Sequence, residues 1–577
     1  MADGLDQLFS QAVARHQQGD LSGAIGLYRL LLGLRPNLPA LHINLGIALQ
    51  NQRKLDEAAD CFRQAIALDP LVSEAHNSLG CVLNAQGRPA EAMESLRRAQ
   101  ALAPHQGQPL NNLGNALRLL EKYDEAADAY RQAAALEPAS PQPWCNLAAV
   151  LLETRDVDGA IAASRRALEL DPAQPEAWNC LGNAYVQAER LSEAEEAFRQ
   201  APQSAEAGTN LAALLYDQER FEDAAAQAEL VTAAHPGYVQ AFNNLGNALM
   251  AQNKLTKAEL AFRQGLALAP DDAHIRLNLS SVLLKQSLFD EGWEAYEARR
   301  EVPWSPLLRR DYGLPAWDGS PLDGGGLLLH AEQGYGDCLQ FCRFAPLLEM
   351  PVVLMVEPAL KRLLADSFAP KIVVIARGEA VPVGLAAQAP LMSLPYLLGG
   401  GIPMAESYLK AENASVWRDR LAALPGRKIG LVWAGAPRPY SKIAHLLDKR
   451  RSIPLKSLES LGTIPGISWV SLQKSDAAGE TVPGLQLIDW TAELGDFADT
   501  AALVAGLDLV ISVDTSVAHL AAALGKPTWI LSRFDGCWRW LQGRDDSPWY
   551  PSVRLFRQER QGDWDDVVER VKAALTA

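Results

Sequence analysis

Three stretches of this 577-residue sequence have residue types and spacing suited to chemistry. The first is Leu509-Val-Ile-Ser-Val-Asp-Thr-Ser-Val-Ala-His-Leu520. Its apolar, β-branched start reads as a buried parallel strand. Asp514, Thr515 and Ser516 then read as N-cap chemistry opening a helix over 517–524, which Gly525 and Pro527 stop. A strand that runs straight into a helix N-terminus presents free amide N–H groups and a positive dipole end, a ready place for phosphate. With two hydroxyls beside it and His519 one turn in, the stretch is suited to hold a diphosphate. An ordinary capped helix would read the same way from these residues alone.

The second stretch is His330-Ala-Glu-Gln-Gly-Tyr-Gly-Asp337, between a short strand and a helix. It lacks GxGxxG spacing and a phosphate-loop lysine, so a dinucleotide or ATP site is not expected. Asp337 reads as a cap, or, in a cleft, as a carboxylate placed to take a proton. His330, Gln333, Gly334 and Gly336 complete this candidate cleft loop. The third stretch, Ala434 to Ser452, reads as a long loop, basic within an acidic protein: either a solvated charge run or a lid contacting phosphate.

The elements that must position these loops alternate between strand and helix from Gly326 onward. Strands are expected over 327–331, 351–357, 371–376, 428–434, 467–472, 485–488, 509–513 and 528–531. Helices are expected over 336–348, 358–368, 413–424, 497–507 and 564–575. Such alternation predicts parallel sheets covered by helices, in two runs facing across a cleft, with ligands at the carboxyl ends of the strands. The expected division is 326–425 for an acceptor-side half and 426–577 for a nucleotide-sugar-side half. A connector over 305–325 precedes them, rich in Pro and Gly, with Trp304 and Trp317 suggesting that it packs down.

The first half is a repeat array, expected over 1–304. Prolines fall at 36, 70, 104, 138, 172, 202, 236 and 270, a 34-residue step broken once by a step of 30 near Pro202. Leu-small pairs (Leu45-Gly46, Leu79-Gly80, Leu113-Gly114 and onward) and a register of alanines with Phe62, Tyr130, Phe198 and Phe262 march with them. Small residues let two helices approach closely, and the aromatic fills the gap. This pattern resembles the tetratricopeptide repeat, about nine units of it. Trp293 and Tyr296 are expected to close the array's end. Asn44, Asn112, Asn146, Asn210, Asn244 and Asn278 precede the Leu of the pairs and form a candidate ladder for an extended acceptor peptide, since an amide donates and accepts at once. Bridging of neighbouring repeats is the plainer use of the same residues. A similar ladder lines the groove of the eukaryotic O-GlcNAc transferase.

Composition bounds the rest. Hydrophobic content of 48% and charged content of 21% describe a globular chain, and a net charge of −16 argues against general nucleic-acid or acidic-membrane binding. Seven scattered cysteines without a CxxC pair predict neither a disulfide framework nor a zinc site, and fit a reducing cytoplasm. Neither a signal peptide nor a membrane span is expected.

Together, Gly336-Asp337, the Val432-Trp-Ala-Gly435 strand end and Asp514-Thr515-Ser516-x-x-His519 resemble the glycosyltransferase-B (GT-B) fold, in particular the bacterial heptosyltransferase-type family and its repeat-fused relatives. The overall fold class expected is therefore α + α/β: an α-superhelical solenoid followed by two doubly wound halves. The resemblance implies that Asp337 deprotonates the acceptor hydroxyl. It also implies that Thr515, Ser516 and nearby amides cradle a diphosphate, with Arg451 where the family has a lysine near the leaving phosphate. Gly435, Ser452, Gln473, Asp514 and His519 complete the expected donor site. Ser516 stands where Gly is usual. No Asp-x-Asp motif occurs in the cleft loops, so a metal-independent, inverting transfer from a nucleotide sugar is expected, without a cofactor. The expected function is sugar transfer to Ser or Thr of a protein held by the array, with flagellin a candidate by the resemblance. The rivals are a lipid or polysaccharide acceptor, with the array as an assembly surface, and a scaffold without activity; self-association of the array is a further expectation.

Overall fold

The structure, a computed structural model, describes residues 2–303, 305, 307, 310–403, 407–412, 414–436, 442–474 and 476–577. It is a helical repeat solenoid followed by an α/β portion with parallel sheets. By compactness the chain divides into Met1–Asn244 and Leu245–Ala577, a boundary inside the helix Val239–Ala251. Among the described residues no helix is long and apolar enough to cross a membrane.

Eighteen helices, from Ala2–Gln17 to Phe289–Tyr296, form nine pairs among the described residues. The glycine of each Leu-Gly pair lies where two helices of a unit meet. A Cβ on Gly46 would stand 2.7 Å from the Phe62 ring, and one on Gly114 would stand 2.5 Å from that of Tyr130. The second helix of most units has fourteen residues, but Leu191–Arg199, in the 30-residue unit, has nine. The turns inside the pairs use left-handed backbone mostly at Arg53, Glu121, Arg155, Glu189, Glu219, Asn253 and Ser287, with glycine at 19 and 87. Packing thus holds a conformation that local preference alone would give to glycine.

In the second unit the last repeats lead into two sheets. The first contains β1 (Gly326–His330), β2 (Val352–Val356), β3 (Ile372–Ala376) and β4 (Leu385–Pro390), in the order β3-β2-β1-β4. The second contains β5 (Arg427–Val432), β6 (Ile467–Ser471), β7 (Leu487–Asp489), β8 (Leu509–Val513), β9 (Thr528–Ser532) and β10 (Val553–Arg557), in the order β10-β9-β8-β5-β6-β7. Every pairing is parallel. Strand order reverses between β1 and β4 and between β5 and β8, and at such points a crevice opens outside the carboxyl ends of the strands.

The sequence reading missed β4 and β10. In Leu385-Ala-Ala-Gln-Ala-Pro390 no residue is β-branched or aromatic, so its strand state comes from pairing with β1 rather than from propensity. The expected long loop 434–452 is overturned in part: Lys442–Arg451 is a helix, with no Gly or Pro to break it and three basic residues at its negative end. Residues 437–441 of that loop, and Trp304 of the connector, lie outside the described residues. Trp317 does pack: it is buried, and its backbone N–H donates to the Gln388 carbonyl at 2.8 Å beside β4.

Trp293 and Tyr296 do more than close the array. They are buried in one aromatic cluster with Phe341, Trp538 and Trp549, and Trp293 meets the last two at 5.4 and 6.1 Å between ring centres. The final repeat helix is therefore part of the α/β core.

Candidate functional site

The helix Ser516–Ala523 begins directly at the carboxyl end of β8. Its N-cap is Thr515, whose side chain caps nothing; the hydroxyl instead shares a hydrogen bond with the Ser512 hydroxyl at 2.9 Å. The first amides of the helix thus face the β5/β8 crevice without a side-chain cap, together with the positive end of the dipole.

Arg451 reaches the same place from the end of its helix. It donates to the Asp514 carbonyl at 2.8 Å and pairs with Asp448 at 2.5 Å. It passes so close to Gly435 that a Cβ there would stand 2.6 Å from its Nε. The Gly435 N–H donates to the Ser452 hydroxyl at 3.1 Å. Gln473, buried, accepts from the Trp433 and Ala434 amides at 3.1 and 3.0 Å and donates to the Ala434 carbonyl at 2.9 Å. Its amide holds the backbone at the end of β5, which makes it a positioning residue. The structure thus brings Gly435, Arg451, Ser452, Asp514, Thr515 and Ser516 to one crevice and explains why residue 435 has no side chain.

His519 is buried one turn below. Its Nδ1 lies 3.0 Å from the Tyr550 hydroxyl, its ring stacks on Trp540 at 5.0 Å, and its Nε2 stands 3.9 Å from Asp514. Burial pushes its pKa down to about 4, so it is neutral at pH 7. The helix Tyr335–Phe341 packs against it: a Cβ on Gly336 would stand 2.9 Å from His519 Cδ2. The two glycine- and hydroxyl-bearing motifs, 177 residues apart from Asp337 to Asp514, therefore meet at their helix starts.

Asp337 uses both oxygens. Oδ2 accepts from the Gly334 N–H at 2.9 Å, capping its own helix, and Oδ1 pairs with Arg539, a half-buried side chain whose guanidinium lies 4.2 Å over the Trp538 ring. The sequence reading missed Arg539, Trp540 and Tyr550. The dense run Cys537-Trp-Arg-Trp-Leu541 was the available signal. The remaining cleft-loop residues turn elsewhere: His330 meets Gln388 at 2.8 Å, and Gln333 donates to the Tyr296 hydroxyl at 3.1 Å. Between them Glu332, fully buried, pairs with Arg299 of the last repeat at 2.8 Å. The loop after β9 is also tied to repeats, with Asn253 donating to the Phe534 carbonyl at 2.6 Å and Lys285 to that of Asp535.

In the first unit the asparagines tie repeats together. Asn112, Asn146 and Asn210 each donate at 2.9 Å to the side-chain oxygen of Asn77, Asn111 and Asn179 in the preceding repeat, and Asn244 donates to the Thr209 carbonyl at 3.1 Å. Asn44 donates to Ala40 in its own helix, and Asn278 occupies the equivalent place on Ala273–Lys285. Most of these amides thus follow the bridging pattern. The paired Asn77, Asn111 and Asn179 went unnoticed in the sequence. Beside the shortened repeat a groove of about 850 Å³ opens, lined among others by Asn146, Glu176, Asn179, Glu206 and Tyr238.

Family comparisons agree with this architecture. Tetratricopeptide-repeat models match residues 5–38, 43–107, 114–154, 145–208, 209–273 and 245–303, and the glycosyltransferase family 9 (heptosyltransferase) model matches 491–531. The chain is similar to protein FlbA of Caulobacter vibrioides, 28% identical over 448 residues, covering 65% of this chain and 73% of that one. Among solved structures it is similar to PilF of Pseudomonas aeruginosa (22% identical, 35% of this chain and 94% of that one, TM-score 0.31) and MamA of Desulfovibrio magneticus (22%, 30% and 97%, TM-score 0.28). The chain thus joins tetratricopeptide repeats to a glycosyltransferase domain resembling family 9.

Proposed function

We propose that the chain is a GT-B glycosyltransferase that moves a sugar from a nucleotide-sugar donor to a Ser or Thr hydroxyl of a protein held by the repeats. Flagellin is the candidate acceptor by the family resemblance, and the cytoplasm is the proposed compartment. The observation that carries the reading is the β5/β8 crevice. There an uncapped helix start and Arg451 converge, and bare Gly435 leaves room for the Arg451 guanidinium to lie against the helix start. Oriented amides and a guanidinium stabilise a departing phosphate without a metal ion, the kind of charge stabilisation that typically contributes most to a transfer of this type. Asp337, at the helix start that abuts His519, is the proposed base, worth about 10²–10⁴ in rate. It acts after Arg539 is drawn off its Oδ1, and attack by the acceptor oxygen inverts the sugar carbon. Residues 326–425 are the proposed acceptor half and 426–577 the donor half. The groove beside the shortened repeat supports acceptor binding by the array.

The Asp337–Arg539 pair favours one second reading, a scaffold whose transferase half no longer turns over. A thermal-shift screen of the full chain against nucleotide sugars, followed by mass spectrometry of an acceptor protein, separates them. A donor held at 100 times its dissociation constant raises stability by about 2.7 kcal/mol. A shift present in wild type, lost in Arg451→Gln and followed by a sugar mass on the acceptor supports the enzyme. A shift without any transfer leaves the scaffold, and no shift with any nucleotide sugar sinks the donor site.

A further inference from the structure

The first sheet has its own reversal point, between β1 and β4, and the donor reading leaves its cations unused. Arg310, supplied by the connector, and Arg377, just past β3, both donate to one oxygen, the Ala331 carbonyl, at 2.6 and 2.7 Å. Two guanidinium groups converging on one neutral acceptor repel each other unless an anion lies between them. Arg377 is half met by Glu357 at 3.0 Å, whereas Arg310 has no carboxylate partner among the described residues. Arg299 and Arg300 stand nearby and share Glu297, while Arg299 also pairs with Glu332. Glu332 and Glu357 act on Arg310 electrostatically without forming an ion pair with it among the described residues. Unmet polar capacity is concentrated here as well. His330, the last residue of β1, is buried with no partner on Nδ1, and Arg377 has none on its buried Nε. The Ala331 carbonyl that both guanidinium groups share belongs to the residue next to His330, and Arg310, Arg377 and Arg300 all act electrostatically on that imidazole.

We propose that Arg310 and Arg377 form an oxyanion subsite, for a carboxylate or phosphate group of the substrate, at the carboxyl end of β1. Guanidinium pairs match such groups through paired N–H donors, and a reversal point of an α/β sheet is where ligands enter. The same loop carries Asp337 seven residues after His330. Resting on the transferase reading, the subsite selects substrates that carry an acidic group on the acceptor side.

Thermal unfolding of the full chain, followed against inorganic phosphate and against acetate at constant pH and ionic strength, tests this. In wild type, phosphate raises the midpoint through both this subsite and the donor crevice. Arg310→Gln and Arg377→Gln should each remove part of that increment, and Arg310→Lys should keep more of it than Arg310→Gln. Arg451→Gln should remove the complementary part. Each variant is compared with itself without anion, so a lower starting midpoint does not obscure the increment. An increment also given by acetate and lost in the Arg310 and Arg377 variants assigns a carboxylate; one given by phosphate only assigns a phosphate group. Equal increments in wild type, Arg310→Gln and Arg377→Gln overturn the subsite. If only Arg451→Gln loses nothing, the donor reading fails while the oxyanion subsite stands.

Discussion

Arg451 is the side chain with most at stake in the donor crevice. It crosses the open face of Gly435 to reach the Asp514 carbonyl, so its charge sits where a phosphate meets the helix start. A hydrogen bond to a charged group is worth about 1.5–3 kcal/mol, so Arg451→Gln should weaken nucleotide-sugar binding roughly 10- to 100-fold by calorimetry. Gly435→Ala should act in the same direction, because its methyl would displace that guanidinium. His519 makes a different prediction. Burial among Tyr550, Trp540 and the Gly336 turn lowers its pKa from 6.5 to about 4, helped by Arg539 and Arg343 and opposed by Asp514 and Asp337. Between those values the unfolded chain binds a proton that the folded chain does not, so stability rises with pH there. The contribution is complete above pH 6.5 and lost as pH falls towards 4. His330 shifts in the same direction for the same reason. Melting curves from pH 7 to pH 4.5 should therefore fall less steeply for His519→Gln than for wild type.

At the scale of elements, the repeats show how a period becomes a fold. Each Leu-Gly position lets the aromatic or leucine of the partner helix lie directly on backbone: Phe62 on Gly46, Leu96 on Gly80, Tyr130 on Gly114, Phe198 on Gly182 and Phe262 on Gly246. These aromatic partners are fully or almost fully buried, so the helices can accept a methyl only by separating. Overpacking of this kind typically costs about 1–3 kcal/mol. Gly114→Ala should lower the urea midpoint of the array accordingly, whereas Gly33→Ala, with open space around it, should not. The asparagines belong to this scale too. Asn112, Asn146, Asn210 and Asn244 each donate to the preceding repeat, so their first effect is on register between units.

At the scale of the whole molecule, the last repeats belong to the compact unit that holds both sheets. Trp293 and Tyr296 lie in its aromatic core, Arg299 meets Glu332 in the interior, and Lys285 is buried against the loop after β9. A fragment beginning at residue 305 would leave Glu332 as a buried, unpaired carboxylate and open the aromatic cluster. We expect residues 305–577 to aggregate or melt without cooperativity, and residues 245–577 to give a cooperative calorimetric transition. Within the full chain, Arg299→Met removes one partner of a buried ion pair and should cost about 3–5 kcal/mol, read as a fall in the midpoint of the second unit's transition.

The sequence by itself determined what depends on local period and punctuation. The 34-residue step gave the repeats and their one short unit, because each unit buries its hydrophobic face only against its neighbours. Alternating strand and helix patterns gave the parallel α/β class, and the Asp514–His519 run gave a helix start at a strand end. Tertiary structure alone decided what depends on partners distant in the chain. It paired weakly propensive β4 with β1, brought Arg451 to the Asp514 carbonyl, and set Gly336 against His519. It also assigned Asp337 to Arg539, Gln473 to the backbone, and the asparagines to their preceding repeats. Apart from the asparagine bridges, which follow the repeat period, these pairings are not written in spacing, because a buried polar group takes whichever partner the packed chain brings within hydrogen-bond distance.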